Sequence, residues 1–185
     1  MDSRQPLDNC KYFLHCKRIG FRLWTENDFQ LALNLWGDIT VTELIGGPFT
    51  IEKIRERLSY EIENMKMYDI QYWPIFLLET GEHVGCCGFR PYGKEKNTIE
   101  IGFHILRKFW RQGFASEAAD TAISYAFSNL NVSKIFAGHH PSNVASCQLL
   151  AQLRFQYTHH EYYLPTGLQH PSYILKKEQY YQKTI

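Results

Sequence analysis

The sequence predicts an α/β fold of the α+β kind, a mixed sheet of about seven strands with helices on both faces. Three observations carry that reading. The apolar period switches repeatedly between two and three to four along the chain. Turn formers stand near those switches, among them Gly46-Gly47-Pro48, Gly81 and Gly113. The resulting order is β-α-α-β-β-β-α-β-α-β-β, with a run of consecutive strands between two helical stretches.

Ile19 to Trp24 reads as the first strand. Thr25 can cap the following helix, with Asp28 answering three residues later, and that helix runs to about Trp36. Thr50 opens a charged helix from Ile51 to Met67, with Ile51, Ile54, Leu58, Ile62 and Met65 on one face. Trp73 to Glu79 and His83 to Arg90 form a hairpin about Gly81, and a further strand runs from about Asn97 to Leu106. After Gly113, the residues Ala115, Ala118, Ala119, Ala122, Ile123, Ala126, Phe127 and Leu130 mark the clearest helix of the chain. Ser133 to Gly138 is a buried strand, Pro141-Ser-Asn143 starts a helix through Leu153, and Tyr157 to Leu164 pairs with Tyr173 to Lys176.

The 185 residues fit a single domain, with a core over about 19–176 and short terminal tails. With 20 Lys+Arg against 19 Asp+Glu the formal net charge is +1, so nothing calls for a nucleic-acid or anionic-membrane partner. Met1 to Gly20 lacks the continuous apolar segment of a secretory leader, and the longest stretch free of charged residues, Ile135 to Leu153, is too polar to span a membrane. Five cysteines, Cys10, Cys16, Cys86, Cys87 and Cys147, suit neither a disulfide framework nor a zinc motif, and are read as reduced thiols in a cytoplasm. His139-His140 and His159-His160 have no carboxylate or thiol at ligand spacing, so they read as surface or packing residues and no metal is expected.

Chemistry concentrates in Glu100 to Glu117, a strand that runs through a basic loop into the Ala-rich helix. The first turn of any helix carries N–H groups without intrahelical partners at the positive end of its dipole, so an uncovered start can hold a phosphate or pyrophosphate. Gly113 lets a ligand approach, Ala115 keeps the turn narrow, and Arg107, Lys108 and Arg111 bring positive charge. On these residues alone, a plain strand-to-helix turn explains Gly113 at least as well.

The loop Trp110-Arg-Gln-Gly113-Phe-Ala115 resembles the acyl-CoA-binding core of the GNAT N-acetyltransferase superfamily, and Phe109 through Ala118 is similar to its RimJ/RimL-like branch. Phe21 to Asp28, Ile45 to Phe49, Val84 to Phe89 and Glu100 to Phe103 resemble that branch upstream, and Asn143-Val-Ala-Ser146 with Leu149, Leu150 and Phe155 resembles it downstream. The resemblance covers roughly residues 19–176, and ordered motifs at matching spacing make it specific. It implies the GNAT fold, with a mostly antiparallel central sheet, and acetyl-CoA as cosubstrate. The partners are then acetyl-CoA and an amine acceptor, either a protein N-terminus or a small molecule, and the protein is a monomer or homodimer.

The resemblance also implies roles. Phe103, His104 and Ile105 would splay from the neighbouring strand and offer backbone groups to the pantetheine arm. The backbone of Arg111, Gln112, Gly113, Phe114, Ala115 and Ser116 would wrap the pyrophosphate, and Asn143 would bond to pantetheine or serve as a plain N-cap, or both. Glu100 is the implied general base, acting through a water, and Ser146 the implied proton donor to the thiolate. The position where some branches have a Tyr for that donor is Leu150, and Arg154 stands where the family usually has Gly. Cys147 is read as a buried small hydrophobe. The alternative function is an acyl-CoA-binding module that has lost the chemistry.

Overall fold

The computed structural model describes residues 11–93, 95 and 97–182. Its strands are β1 (Leu14–His15), β2 (Ile19–Phe21), β3 (Tyr72–Leu77), β4 (His83–Pro91), β5 (Thr98–Ile105), β6 (Lys134–Gly138), β7 (Gln156–Tyr163) and β8 (Leu168–Lys176). They form one sheet in the order β1-β2-β3-β4-β5-β6-β8-β7. Every neighbouring pair is antiparallel except β5 with β6. The mostly antiparallel mixed sheet is therefore as expected, with eight strands rather than about seven. The additional strand is the two-residue β1, too short to show a period, in a segment read as tail.

The helices are α1 (Phe29–Trp36), α2 (Ile39–Thr42), α3 (Ile51–Tyr68), α4 (Phe114–Asn129), α5 (Val144–Gln152) and α6 (Lys177–Tyr181). Two apolar layers hold them to the sheet. On one face Ala118, Ala119, Ala122 and Ala126 let α4 lie close against Trp73, Cys87, Phe89, Ile99 and Ile101. On the other face Trp24, Leu35, Trp36, Ile54 and Leu58 pack over Tyr72 and Cys86. Neighbouring residues such as Tyr72 and Trp73 thus enter opposite layers, as the two-residue period of a strand requires. Both faces are covered, so these strands read as continuous apolar runs.

The entry to α1 shows how one short polar motif fixes a junction. Asp28 Oδ2 accepts hydrogen bonds from the Thr25 N–H and hydroxyl, each at 2.8 Å, while Arg22 donates to both carboxylate oxygens at 2.8 and 2.6 Å. Burial opposes ionisation of Asp28, but Arg22 and Thr25 outweigh it and hold the carboxyl below its usual range. A depressed folded pKa contributes stability above the unfolded value of about 3.9, and that contribution disappears as pH falls through the folded value. Asp28→Ala is predicted to cost about 2 kcal/mol near pH 7, which for a chain of this size lowers Tm by about 4–8 °C. Thermal melts at descending pH should show the gap to the parent closing below about pH 4; a gap of constant size would contradict the charged role of Asp28.

Candidate active site

The parallel ladder between β5 and β6 has only three rungs, Thr98 with Lys134, Ile99 with Ile135 and Glu100 with Phe136, after which the strands part. β5 stays paired with β4 along its other edge from Ile99 to Ile105. Leu106 N–H donates to Val84 O on the β4 side, and Asn97 O accepts from Ser133 N–H on the β6 side. Backbone groups alternate along a strand, so Phe103 turns its N–H and C=O into the gap, whereas those of His104 face Cys86 on β4. Ile105 faces the gap as well, and its carbonyl accepts the Trp110 indole N–H at 2.7 Å.

Past that gap the chain reaches α4 through a single turn of 3-10 helix at Arg107–Phe109. Gly113 caps α4 at φ 80°, a conformation natural to glycine, and Arg111 also has positive φ. The first bond into the helix is Glu117 N–H to Gly113 O, so Phe114, Ala115 and Ser116 present N–H groups without helical partners. Arg18 braces this start. It forms an ion pair with Glu117 at 2.6 Å, donates to Gln112 O at 3.1 Å, and lies over the Phe114 ring. Lys108 pairs with Glu82, whereas Arg107 and Arg111 are exposed and have no ion-pair partner among the described residues. The positive charge left for a ligand therefore comes from two of the three predicted cations.

A cleft of about 190 Å³ opens beside the gap. Glu100, Tyr72, Arg90 and Phe136 line one part, Asn143, Ser146 and Leu150 another, and Leu44, Ile45 and Tyr163 a third. Glu100 accepts no hydrogen bond and forms no ion pair among the described residues. Burial pushes its carboxyl above the ordinary range, and the nearby charges of Arg90 and Arg57 counter only part of that. Tyr72 lies directly over Gly102, where an added Cβ would meet the phenol at 2.2 Å, so a side chain there would expel the ring. His104 is two residues further on the same face as Glu100 and Gly102. Its Nδ1 accepts from the Trp36 indole at 3.1 Å, and burial holds its pKa well below the imidazole range, so it is a neutral ring with its proton on Nε2.

Asn143 caps α5, accepting the Ser146 N–H on its side-chain oxygen at 3.0 Å, and its amide nitrogen has no partner among the described residues. Ser146 is half-buried in the cleft, with its hydroxyl unpaired among the described residues. Cys147 departs from expectation: it is exposed, because α5 buries the stripe of Leu149, Leu150 and Leu153, and position 147 lies off it. Arg154 adopts φ 65°, so the turn after α5 keeps the left-handed geometry of a glycine position with an arginine in it. His139 and His140, read as surface or packing residues, line the cleft. Cys10 lies outside the described residues.

The residues that sequence reasoning missed surround Glu61 of α3. This carboxylate is fully buried and accepts from Arg57 at 2.7 Å, Arg90 at 3.0 Å and the Tyr72 N–H at 2.7 Å. Its backbone carbonyl accepts from Gln71, whose side-chain oxygen receives the Trp24 N–H. Nothing local in the sequence marks Glu61 as buried. The only signal is that it falls on the face of Ile54 and Leu58, seven and three residues on.

A family model for an acetyltransferase (GNAT) domain matches residues 18–156. An uncharacterized N-acetyltransferase, p20, of Bacillus licheniformis is 32% identical over 145 residues, covering 77% of this chain and 82% of the relative. Among solved structures, a GNAT-family acetyltransferase from Bacillus anthracis superposes with a TM-score of 0.76 at 24% identity, covering 89% of this chain and 98% of the other. The RimL ribosomal-protein α-N-acetyltransferase in complex with coenzyme A superposes with a TM-score of 0.74 at 15% identity, covering 89% and 97%. With the parted strands, the uncovered helix start and the carboxylate in the cleft, these matches lead to one assignment: the chain belongs to the GNAT acetyltransferase family.

Proposed function

We propose that this protein transfers an acetyl group from acetyl-CoA to a primary amine, a protein N-terminal α-amine or a small-molecule amine, by direct attack of the amine on the thioester. The observation that carries the reading is the coincidence, along one strand, of the Glu100 carboxylate, unpartnered among the described residues, and the strand gap that leads to uncovered N–H groups of α4. Acetyl-CoA bound in the gap supplies the thioester carbon at which the new C–N bond forms as the C–S bond breaks. The residues present fit that group. The Phe103 N–H and C=O offer strand-like pairing to an amide-bearing arm, the Asn143 amide can donate to the same arm, and the turn from Arg111 to Ser116 with its helix dipole suits a pyrophosphate.

Glu100 then acts as general base, taking the ammonium proton through a water before attack, and Ser146 donates a hydroxyl hydrogen bond to the departing sulfur. An α-amine has a pKa of about 7.7–8.0 against about 10.4 for a Lys side chain, so deprotonating Lys near neutrality costs about 3 kcal/mol more. A single carboxylate acting through water suits the α-amine better. Leu44 and Ile45 line the cleft together with Tyr72, which belongs to the layer opposite α4, and that supports an acceptor pocket on that face.

The test is incubation with acetyl-CoA and a panel of amines and short peptides, following CoA release and product mass. Turnover above the acceptor-free rate is expected, and CoA binding without turnover across a broad panel would favour a non-catalytic binding module. Glu100→Gln should keep CoA affinity and lose about 10²-fold or more in kcat; an undiminished kcat would remove Glu100 from the mechanism. Gly113→Val is predicted to abolish the thermal stabilisation given by CoA, since a β-branched residue is strained at φ 80°, while the free protein melts within a few degrees of the parent. Full retention of the CoA shift would place the pyrophosphate elsewhere.

A further inference from the structure

Arg90 and Glu100 are direct partners in the β4–β5 ladder, so their side chains leave the same face of the sheet side by side. Opposite charges in that relation ordinarily pair. Here Arg90 is engaged elsewhere: it donates to Glu61 at 3.0 Å and lies 4.4 Å from the centre of the Tyr72 ring. Arg57 donates to the same Glu61 oxygen at 2.7 Å and lies 5.3 Å from that ring. Two guanidinium groups therefore share one fully buried carboxylate. Arg90 Nε and Arg57 Nη2 are buried with no partner among the described residues, which leaves donor capacity and one positive charge in excess next to Glu100.

We propose that Glu61 is a positioning residue that holds Arg90 and Arg57 against Tyr72, keeping both guanidinium groups off Glu100 and leaving that carboxylate free to accept a proton. The proposal rests on the reading of Glu100 as the base. Other titratable groups line the same cleft: Tyr72 from β3, Tyr92 just after β4, Glu161, Tyr162 and Tyr163 from β7, His139 and His140 after β6, and His170 from β8, with His104 further along β5 on the face of Glu100. Among these and the two arginines, only Arg90 is a permanent cation on the same rung as Glu100. Loss of the Glu61 charge releases it toward Glu100, and an ion pair formed there lowers a carboxylate pKa by about 1–3 units.

The experiment follows the carboxyl carbon of Glu100 by NMR titration in the free protein, assigned by its loss in Glu100→Gln, alongside the pH profile of kcat/KM. In Glu61→Gln the Glu100 midpoint should fall by about one unit or more, the acid limb of kcat/KM should move the same way, and kcat on the plateau should drop about tenfold as the base weakens. Adding Arg90→Gln should return the midpoint and the limb toward the parent, a rescue that a merely structural role for Glu61 does not produce. An unchanged midpoint in folded Glu61→Gln overturns the proposal, as does failure of the rescue. A shifted midpoint with untouched activity supports the hold on Arg90 and overturns only the role of Glu100 as base. Where the single variant does not fold, Glu61→Gln/Arg57→Gln removes a buried cation with the anion and leaves Arg90 free, and the same fall in midpoint is required.

Discussion

The shortness of the parallel ladder between β5 and β6 is the constraint on which the site depends. Three rungs, ending at Glu100 and Phe136, anchor the two strands, and their divergence then exposes one edge of β5 inside an otherwise continuous sheet. An unpaired strand edge within a covered core costs free energy unless something satisfies its peptide groups. Trp110 satisfies the Ile105 carbonyl and leaves Phe103 open. α4 follows β5 and α5 follows β6, so two helix starts, at Gly113 and Asn143, come after the ends of the two diverging strands.

The second constraint is electrostatic. Burying Glu61 without partners would be prohibitive, and the structure surrounds it with two arginines and a backbone N–H. That cluster also locates Tyr72, whose ring lies within 5.3 Å of both guanidinium carbons and whose hydroxyl end rests on Gly102. A replacement by apolar residues of similar volume would stabilise many such sites at least as well. The charged version lies here beside Glu100, a carboxylate with no partner among the described residues, and the charges of its two arginines favour the ionised form of that carboxylate.

Much of the fold was legible because it is encoded locally. Period switches, the Thr25–Asp28 and Thr50 caps and the glycine turns sit within a few residues of what they control, and the elements fall where those signals stand. The α3 face shows the limit. An apolar stripe of Ile51, Ile54, Leu58, Ile62 and Met65 is the natural reading, yet Ile51 is exposed and the buried stripe is Ile54, Leu58, Glu61 and Asn64. Hydrophobicity cannot rotate a helix onto a glutamate whose burial depends on arginines 4 and 29 residues away in the chain. Tyr72 and Trp73 show a related limit: with both sheet faces covered, alternation does not tell core from cleft. Tyr72 floors the cleft and Trp73 lies in the α4 layer.

The electrostatics of the cleft also bear on which proton transfers are feasible there. Moving a proton from an α-ammonium group to an unperturbed carboxylate of pKa about 4.3 is uphill by about 5 kcal/mol, at 1.36 kcal/mol per unit. Burial of Glu100 narrows that difference, and each unit by which it rises returns the same increment to the transfer. The opposing pull comes from Arg90 and Arg57, whose charges stabilise the ionised form. A base in this position must therefore be desolvated enough to be strong and shielded enough from the arginines to stay so. Glu61 and the Tyr72 ring engage both guanidinium groups, and that engagement links the chemistry proposed for β5 to a side chain on α3.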